Sequence, residues 1–318
     1  MPAATPQPAA NAANAARERI AGFAVRTPLV RMQAEAATEV WLKLENLQPI
    51  GSFKIRGASN AMLQIPGNQL AGGVLTASAG NMAQGVAFCA RRMGIAATVV
   101  APDTAPRTKI AAIERLGGRV IQRPFAEWWR CFETRSYPGV AAHFVHAFDD
   151  PDVMAGNGTI ALELLEDLPA LQAVVVPWGG GGLACGIAAV LAELAPQVNV
   201  YAAEVETAAP LAASLTAGRP IEVPYQPSFV DGIGSRMVFP GMLARAQQLL
   251  TGSLVVKLDE AAAAMQLAAE RNRVILEGAA ACAVAAALSG RAGRGPVAAI
   301  ASGGNIDLAT FAQLVARS

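Results

Sequence analysis

Short runs of β-branched and other apolar residues alternate with longer alanine-rich segments along almost the whole chain, and this alternation restricts the possible folds more than any other feature. Such short apolar runs are typical of buried strands, and the longer segments have helical spacing. The strand candidates are 40–44, 74–77, 97–101, 120–122, 173–177, 198–205, 253–258 and 297–301. The helix candidates are 53–64, 83–93, 107–116, 155–167, 183–194, 207–217, 259–271 and 277–289, with an earlier helix from about residue 14. Strands that alternate with helices predict an α/β fold with mostly parallel sheets and helices on both faces.

The length of 318 residues allows one large domain or two ordinary ones. All the strand candidates could form one sheet, but the segment 46–149 contains its own strands and could fold as an inserted smaller domain. We therefore predict a discontinuous large domain of residues 1–45 and 150–318, a small domain of residues 46–149, and no C-terminal regulatory domain. A cleft between two such domains is the usual place for a small-molecule site.

Charge and hydropathy exclude two classes of partner. The net charge is +1 and no basic run contains interleaved aromatic residues, so we expect no nucleic-acid partner. Hydrophobic residues make up 53% of the chain, but the charge-free stretch 171–192 contains Pro177 and four successive glycines, unlike a membrane-spanning helix. The first residues lack the basic start and apolar block of a signal peptide. We therefore expect no membrane partner.

The cysteines and histidines offer little chemistry. The four cysteines, at positions 89, 131, 185 and 282, form no CxxC pair, which favours reduced core residues in a cytoplasmic protein. His143 and His146 could bind a metal if they lay on a helix, but HFVHAF alternates like a strand, which favours a structural pair. No HExxH motif or Cys/His cluster is present, and a Ser-His-Asp hydrolase would need a GxSxG motif.

The stretch Gly51–Gly57, GSFKIRG, places a lysine where a helix begins. A turn precedes it, and Ser52 is predicted to be the N-cap of the helix 53–64. Lys54 then lies in the first turn, where the helix dipole disfavours a cation by about 0.3 to 1 kcal/mol. An amine that is buried there in apolar surroundings has a lowered pKa and can act as a nucleophile near neutral pH.

The glycine run Gly179–Gly182 follows the strand 173–177 and precedes a helix that begins near Leu183. Glycines let the backbone approach an anion closely, and the N–H groups of the helix start point at it, as in a phosphate site. The run lacks both the GKS/T sequence of nucleoside-triphosphate loops and the GxGxxG of dinucleotide sites. An ordinary flexible turn remains the alternative.

Two more polar turns follow strands. Ser302 follows the strand 297–301 and could hydrogen-bond a ligand. Ser78, Ala79, Gly80 and Asn81 follow the strand 74–77 and precede a helix from Met82; they could hold a carboxylate or simply cap that helix. In open α/β sheets, ligands bind just past the carboxyl ends of strands. A phosphorylated aldehyde would use all of these parts, with Lys54 forming a Schiff base, the glycine run holding the phosphate and Ser302 meeting a ring nitrogen.

Eight sequence blocks occur in an order typical of one family. They are RTPLV, LKLENLQPIGSFKIRGA, SAGNMAQGVA, FDDPDVMAGNGTIALEL, GGGGL, DGIG, EGAAA and SGGN. With them the chain resembles the serine/threonine dehydratase family of fold-type II pyridoxal-phosphate enzymes, which includes serine and aspartate racemases. The resemblance implies pyridoxal 5'-phosphate as cofactor, in the cleft between two domains, and a homodimer.

The resemblance also implies roles for single residues. Lys54 is the Schiff-base lysine, Phe53 packs beside the cofactor ring, Asn81 bonds the ring hydroxyl, Glu277 lies near the ring and Ser302 bonds the pyridine nitrogen. The residues implied to bind the phosphate are Gly179, Gly180, Gly181, Gly182 and Leu183. Those implied to bind the substrate carboxylate are Ser78, Ala79, Gly80, Asn81 and Met82.

The activity implied by the resemblance is the elimination of water from a β-hydroxy amino acid, which gives a 2-oxo acid and ammonia. The neutral hydroxyl of Ser302 would not enforce a protonated pyridine nitrogen as an aspartate would. The cofactor would then withdraw electrons less strongly, which suits elimination. A racemase on the same scaffold is the main alternative, and a catalytically silent relative is a further one. Racemases of the family often carry a serine as a second base where this chain has Ala79, so elimination is favoured.

Other departures from the family pattern bear on the substrate and on metals. Met82 stands where histidine is usual, and Trp178 stands where a smaller residue is usual. Trp128 and Trp129 are either core residues or part of a pocket for a bulkier substrate such as phenylserine. Metal-binding relatives place an aspartate six residues after a glutamate equivalent to Glu204, where this chain has Pro210. We therefore expect no metal site.

Overall fold

Two sheets organise the molecule, whose computed structural model describes residues 9–35 and 38–316. The larger sheet has six strands in the order β1-β2-β10-β7-β8-β9, and the smaller has four in the order β5-β4-β3-β6. The strands are β1 Leu29–Arg31, β2 Val40–Lys43, β3 Val74–Ala77, β4 Ala97–Pro102, β5 Arg119–Arg123, β6 His143–Phe144, β7 Ala173–Pro177, β8 Asn199–Val205, β9 Gly252–Val256 and β10 Val297–Ile300. Only β1 runs antiparallel, to β2; the other pairs of these strands are parallel.

Twelve α-helices lie within the described ranges. They are α1 Ala9–Ile20, α2 Lys54–Leu63, α3 Asn81–Met93, α4 Arg107–Arg115, α5 Phe125–Thr134, α6 Pro151–Asp167, α7 Gly182–Leu194, α8 Pro210–Ala217, α9 Pro240–Leu249, α10 Leu258–Leu267, α11 Gly278–Leu288 and α12 Leu308–Val315. A π-helical turn, Ala268–Asn272, continues α10. The clearest capping is at α6, where Asp150 accepts from the backbone N–H groups of Asp152 and Val153 and proline occupies the first helical position.

Helices cover both faces of the six-stranded sheet, as the sequence predicts. Val175 of β7 faces a core that contains side chains of α10, α11 and α12. Its neighbours Val174 and Val176 face the opposite core, with side chains of α1, α6, α7 and α9. Because successive strand side chains point to opposite faces, a fully apolar strand such as β7 needs this cover on both sides. The α/β architecture with parallel sheets is confirmed.

The four-stranded sheet is covered in the same way. Val74 of β3 packs with side chains of α2 and α3, including Ile55 and Val86. Leu75, on the other face, packs against Phe132 of α5. All four strands fall within the segment 46–149, which supports the predicted small domain. The domain boundaries themselves stay a prediction.

A buried ionic cluster fastens α2 to the six-stranded sheet. Arg56 of α2 is 2% exposed; it donates to both carboxylate oxygens of Glu45 and to both of Glu163, on α6. Lys43 of β2 is fully buried and lies 2.6 Å from Glu163. Burial raises the pKa of Glu45, but Arg56 outweighs it and the net pKa lies below the usual value. Two cations and two anions thus balance where α2 begins.

The element boundaries correct several predictions. The first helix begins at Ala9 rather than near residue 14. β1 and β6, with three and two residues, were not predicted as separate strands, because runs this short carry little periodicity. The four cysteines are buried and free, as expected. None of the helices in the described ranges is long and apolar enough to cross a membrane.

Candidate active site

Lys54 is the first residue of α2, as the sequence predicts, but the helix start differs from the prediction. The N-cap is Phe53 and no side chain caps the helix, so the predicted N-cap role of Ser52 is wrong. Ser52 is fully buried, its hydroxyl has no hydrogen-bond partner in the described structure, and its backbone bridges to Gly303. The chain before α2 is therefore fixed by the segment that follows β10, rather than by a local cap.

The amine of Lys54 donates a hydrogen bond to a backbone carbonyl and not to a carboxylate. Its Nζ donates to Ala147 O at 2.7 Å and lies 5.1 Å from the centroid of the Phe53 ring. Burial lowers the pKa of Lys54 to about 8, although the charge of Glu277 acts in the opposite direction. About a tenth of the amine is therefore neutral at pH 7 and about half at pH 8, and this neutral form is the one that a nucleophile or base requires.

A buried histidine shapes the turn that offers this carbonyl. His146 Nδ1 accepts from the backbone N–H of Asp149 at 2.8 Å and from that of Phe148 at 3.3 Å. Burial and the nearby Arg135 lower the pKa of His146 to about 4, so the ring is neutral at pH 7 and free to accept. His146 thus organises the turn around Ala147. This geometry agrees with a structural role.

The tetraglycine loop lies against this turn. A Cβ added to Gly180 would fall 2.0 Å from Cδ1 of Phe148, and one added to Gly182 would fall 2.6 Å from Phe148 O. Gly181 has φ +92°, in the left-handed region that favours glycine, and packs against Trp178. The loop ends at Gly182, the first residue of α7, where unpaired N–H groups are available to an anion.

Glu277 is the second perturbed ionisable group of the site. Asn81 Nδ2 donates to its two carboxylate oxygens at 2.9 and 3.1 Å. Burial raises the pKa of Glu277 to about 7; the hydrogen bonds from Asn81 lower it less than burial raises it. Near neutral pH this carboxyl therefore exchanges a proton, in contact with Asn81, the side chain that the family resemblance assigns to the cofactor hydroxyl.

Ser302 and the glycines after it complete the enclosure. Ser302 is 1% exposed, and its carbonyl accepts from the backbone N–H of Phe53 at 2.9 Å. A Cβ on Gly303 would fall 2.6 Å from Glu277 Oε1. Ser302 therefore lies between the start of α2 and the Glu277 carboxyl.

These contacts bring residues distant in sequence into one place. Gly179 approaches Gly232, since a Cβ on Gly179 would lie 3.5 Å from Gly232 O, and one on Gly232 would lie 3.7 Å from Glu277 Oε1. The contacts run from Lys54 through the Ala147 turn, the glycine loop and Glu277 to Asn81 and Ser302. Of the predicted residues, these contacts bring Lys54, the glycine loop, Glu277, Asn81 and Ser302 together, and the structure adds Ala147, Phe148 and Asn305. Phe148 and Asn305 stand inside the blocks FDDPDVMAGNGTIALEL and SGGN, which were the available signal.

The predicted carboxylate-binding turn is placed between β3 and α3. Ser78 Oγ accepts from the backbone N–H of Gly80 at 3.2 Å, and Ala79 is half-buried beside it. Helix α3 begins at Asn81, one residue before the predicted start. Met82 is 2% exposed and packs in the core with Ile55 and Val86 of the four-stranded-sheet region, so the structure places its side chain in that core.

The tryptophans fall in two different environments. Trp178 is 1% exposed and lies in the core beneath the glycine loop. Trp128 and Trp129 of α5 are half-buried; the ring centroid of Trp129 lies 5.9 Å from that of Phe239, which lies 5.4 Å from that of Phe148. An aromatic cluster therefore extends from α5 to the glycine loop.

Glu204 is fully engaged by the protein. Its carboxylate accepts from the N–H groups of Leu211 and Ala212, both at 2.8 Å, and from Ser253 Oγ at 2.6 Å. Burial raises the pKa of Glu204. Pro210 is the first residue of α8, whose start Glu204 caps. In residues 9–35 and 38–316, His, Cys, Asp and Glu form no group of three or more that could hold a metal ion.

Comparison with known proteins adds independent information. The profile of the family described as "Pyridoxal-phosphate dependent enzyme" matches residues 20–303. L-threonine ammonia-lyase of Thermotoga maritima is 42% identical over 275 residues, which are 85% of this chain and 68% of that protein.

Solved structures are similar over nearly the whole fold. Maize serine racemase superimposes with a TM-score of 0.89 and 31% identity, covering 96% of this chain and 95% of its own. The processed form of threonine deaminase isoform 2 from Solanum lycopersicum gives a TM-score of 0.88 and 32% identity, covering 98% of this chain and 88% of its own.

Proposed function

Since the chain belongs to the family of pyridoxal-phosphate dependent enzymes, we propose that it is a dehydratase that converts a β-hydroxy amino acid to a 2-oxo acid and ammonia. The observation that carries the proposal is the Lys54 amine, which is bonded to Ala147 O and has a pKa of about 8. The similarity of the chain to L-threonine ammonia-lyases supports the class of reaction and an amino-acid substrate. Threonine is accordingly the first substrate to test.

The residues present fit the cofactor. The close approach of Gly180 and Gly182 to Phe148 leaves no room for side chains in the loop, so its backbone stays open to a phosphate. An amine without a carboxylate partner suits an aldehyde, and Ser302 is a buried hydroxyl. We assign the phosphate to Gly179, Gly180, Gly181, Gly182 and Leu183, and the ring to Phe53, Asn81, Glu277 and Ser302.

Bound pyridoxal phosphate supplies an aldehyde for amines and an electron sink that acidifies the α-hydrogen of an amino acid. The protein supplies the proton transfers and the orientation. Lys54 Nζ, neutral in part near pH 8, takes the α-hydrogen as a base. The N–H groups of Ala79 and Asn81 and the hydroxyl of Ser78 hold the substrate carboxylate, which fixes the direction of the α C–H bond.

The overall change balances without an added reactant. The β-hydroxyl leaves with a proton as water, and water then releases the amine as ammonia, so the product differs from the substrate by the loss of ammonia. Lys54 returns to its starting protonation state at the end of the cycle. Glu277, with a pKa of about 7, can exchange a proton next to Asn81 during turnover.

A racemase is the second candidate, favoured by the similarity to maize serine racemase. Ala79 argues against it, because its methyl side chain cannot supply the acid for a two-base mechanism. Chiral analysis of unreacted substrate distinguishes the two. Net inversion without keto-acid release would replace our proposal by racemisation.

The remaining expectations are proposals as well. We expect a homodimer in the cytoplasm, domains divided as the sequence predicts, and no strict need for a divalent metal. The Glu204 carboxylate already accepts three protein hydrogen bonds, which supports the last point. Activity lost on chelation and restored by magnesium would contradict it.

A keto-acid release assay tests the main proposal with serine, threonine, hydroxyaspartate and phenylserine as separate isomers. The expected result is ammonia and the matching 2-oxo acid in equal amounts from at least one of them. A higher efficiency for threonine or phenylserine than for serine would support the bulkier substrate suggested by the aromatic cluster. No keto acid from any isomer would overturn the dehydratase assignment.

The variant Lys54→Ala tests the role of the amine directly. Loss of the base should lower turnover by about 10²- to 10⁴-fold, and borohydride should fix no cofactor to the variant. Lys257→Ala, at an exposed position, is the matched control and should behave as the wild type. A Lys54→Ala protein that retains activity would contradict the assignment.

A further inference from the structure

Asn305 lies at the junction of three segments that meet in the site. It follows β10 and is half-buried, and it belongs to no helix or strand. Its Nδ2 donates to Ile50 O at 2.9 Å and to Asn81 Oδ1 at 2.8 Å. One amide group thus connects the turn that leads to Lys54 with the first residue of α3.

The contact with Ile50 fixes the direction of the Asn305 amide. A backbone carbonyl can only accept, so the NH₂ group and not the oxygen of Asn305 must face it. The other N–H of the same group then points at Asn81, which must present its oxygen. The amide nitrogen of Asn81 is thereby directed to the two oxygens of Glu277. The hydrogen-bond chain therefore has one polarity from Ile50 to Glu277.

The backbone around Asn305 is also closely fitted. Gly304 donates its N–H to Gly51 O at 3.0 Å. Gly51 has φ +71°, and a Cβ there would fall 2.7 Å from Asn305 Oδ1. Because a side chain at Gly51 would displace the amide, the pair Gly51 and Asn305 holds a defined position beside the start of α2.

We propose that Asn305 is a positioning residue, which keeps the amide N–H groups of Asn81 turned toward Glu277 and the cofactor hydroxyl. This inference rests on the proposed contact of Asn81 with the cofactor. The Asn305 side chain is assigned no contact with substrate or cofactor; it acts through Asn81. Without Asn305, the amide of Asn81 is free to rotate by half a turn about the Cβ–Cγ bond. It would then present its oxygen, an acceptor, to Glu277 instead of its N–H groups.

Asn305→Asp tests the direction of the chain, because the carboxylate has almost the same shape but only accepts when ionised. It should reverse the Asn81 amide, raise the dissociation constant for pyridoxal phosphate by about tenfold or more, and change the absorption spectrum of the bound cofactor and its pH dependence. Asn305→Ala should weaken binding by a smaller factor. Asn46→Asp is the matched control: Asn46 donates to Ile275 O nearby but makes no contact with Asn81. It should stay within about twofold of the wild type.

A double-mutant cycle separates positioning from general destabilisation. In the Asn81→Ala background, Asn305→Asp should change the dissociation constant by less than about twofold, because the group that it orients is gone. A merely structural role would give the same change in both backgrounds. If Asn305→Asp fails to fold, the same cycle with Asn305→Ala decides the question.

Two outcomes would overturn the inference. One is a wild-type dissociation constant and spectrum for the Asn305 variants, and the other is an equal effect with and without Asn81. Both readouts report cofactor binding, so they are independent of the reaction catalysed. A wild-type protein that binds the cofactor but releases no keto acid would overturn the dehydratase proposal alone.

Discussion

At the residue scale, burial perturbs the pKa values of both Lys54 and Glu277, and the charge of Glu277 partly restores that of Lys54. The pKa of Lys54 is lowered by burial and raised by Glu277, while burial raises the pKa of Glu277 to about 7. Each group therefore changes its proton occupancy in a pH range where an unperturbed lysine or glutamate would not. Perturbed groups of this kind cluster at functional sites, which agrees with the proposed role of the amine.

Glu277→Gln should change the pH dependence of stability of the cofactor-free protein. Since the folded pKa is raised from 4.5 to about 7, the folded state holds more protons than the unfolded state in that window. The wild-type contribution from this group is full below pH 4.5 and is lost as the pH rises toward 7. As the pH rises through this window, the free energy of unfolding of the variant should increase relative to that of the wild type by on the order of 3 kcal/mol. Urea unfolding at a series of pH values measures the difference.

The control for this measurement is Glu270→Gln, which removes an exposed carboxylate. Its difference from the wild type should be nearly flat with pH. Parallel curves for Glu277→Gln and the wild type would show that the Glu277 carboxyl ionises at an ordinary pH in the folded protein.

At the scale of elements, the glycine loop is fitted to the turn after β6. Gly180→Ala places a methyl group where the Phe148 ring already lies, 2.0 Å from Cδ1. Overpacking of this kind should lower the free energy of unfolding by about 1 to 3 kcal/mol. Gly179→Ala is the control, because its Cβ would meet only ordinary contacts, the nearest at 3.5 Å. Denaturant unfolding without cofactor isolates the packing effect from any loss of phosphate binding.

A further comparison checks the cause. In the Phe148→Ala background, Gly180→Ala should lower the free energy of unfolding by much less than it does in the wild type, since the clashing ring is gone. An equal cost in both backgrounds would place the strain elsewhere in the loop.

The ionic cluster that fastens α2 makes a second prediction at this scale. Arg56→Met leaves Glu45 buried without its main partner and deprives Glu163 of two hydrogen bonds. Such a change should lower the free energy of unfolding by about 3 to 5 kcal/mol. Arg31→Met, which breaks an exposed pair with Glu39, should cost less than about 1 kcal/mol. Similar losses for the two variants would mean that the buried cluster contributes no more than a surface pair.

The elements that could be predicted from the sequence are those with long local patterns. β3 and β7 have the predicted bounds because a continuous apolar strand is defined by its own residues. The N-cap at Ser52 was wrong because the segment after β10 fixes that turn, and the local signal could not include it. Lys54 and the glycine loop were predictable because their signals are local in the sequence. The contacts of Ala147 and Asn305 and the Arg56 cluster were not predictable, because they join segments that are distant in sequence.

At the scale of the whole molecule, an ion pair joins the region of the four-stranded sheet to the rest of the protein. Lys109 of α4 lies 2.6 Å from Asp231, next to Gly232, whose neighbourhood includes Glu277. Their side chains are 25% and 51% exposed, so the pair is partly screened by solvent.

Exchanging the two charges tests this contact. Lys109→Glu opposes two carboxylates and should lower the free energy of unfolding by about 1 kcal/mol in about 0.02 M NaCl, and by less in about 0.5 M NaCl. The double variant Lys109→Glu with Asp231→Lys should recover more than half of that loss. A salt-independent loss that the double variant does not recover would point to altered packing of α4 instead.

The central place of β10 affects how the protein matures. This strand lies between β2 and β7, and the residues after it bond to Phe53, Ile50 and Asn81. During translation, Lys54 leaves the ribosome about 250 residues ahead of these partners, a delay of roughly 10 to 50 seconds at ordinary synthesis rates. Until then Phe53, Ile50 and Asn81 lack these hydrogen-bond partners. The nascent polypeptide therefore completes its cofactor pocket only once β10 has been inserted between β2 and β7.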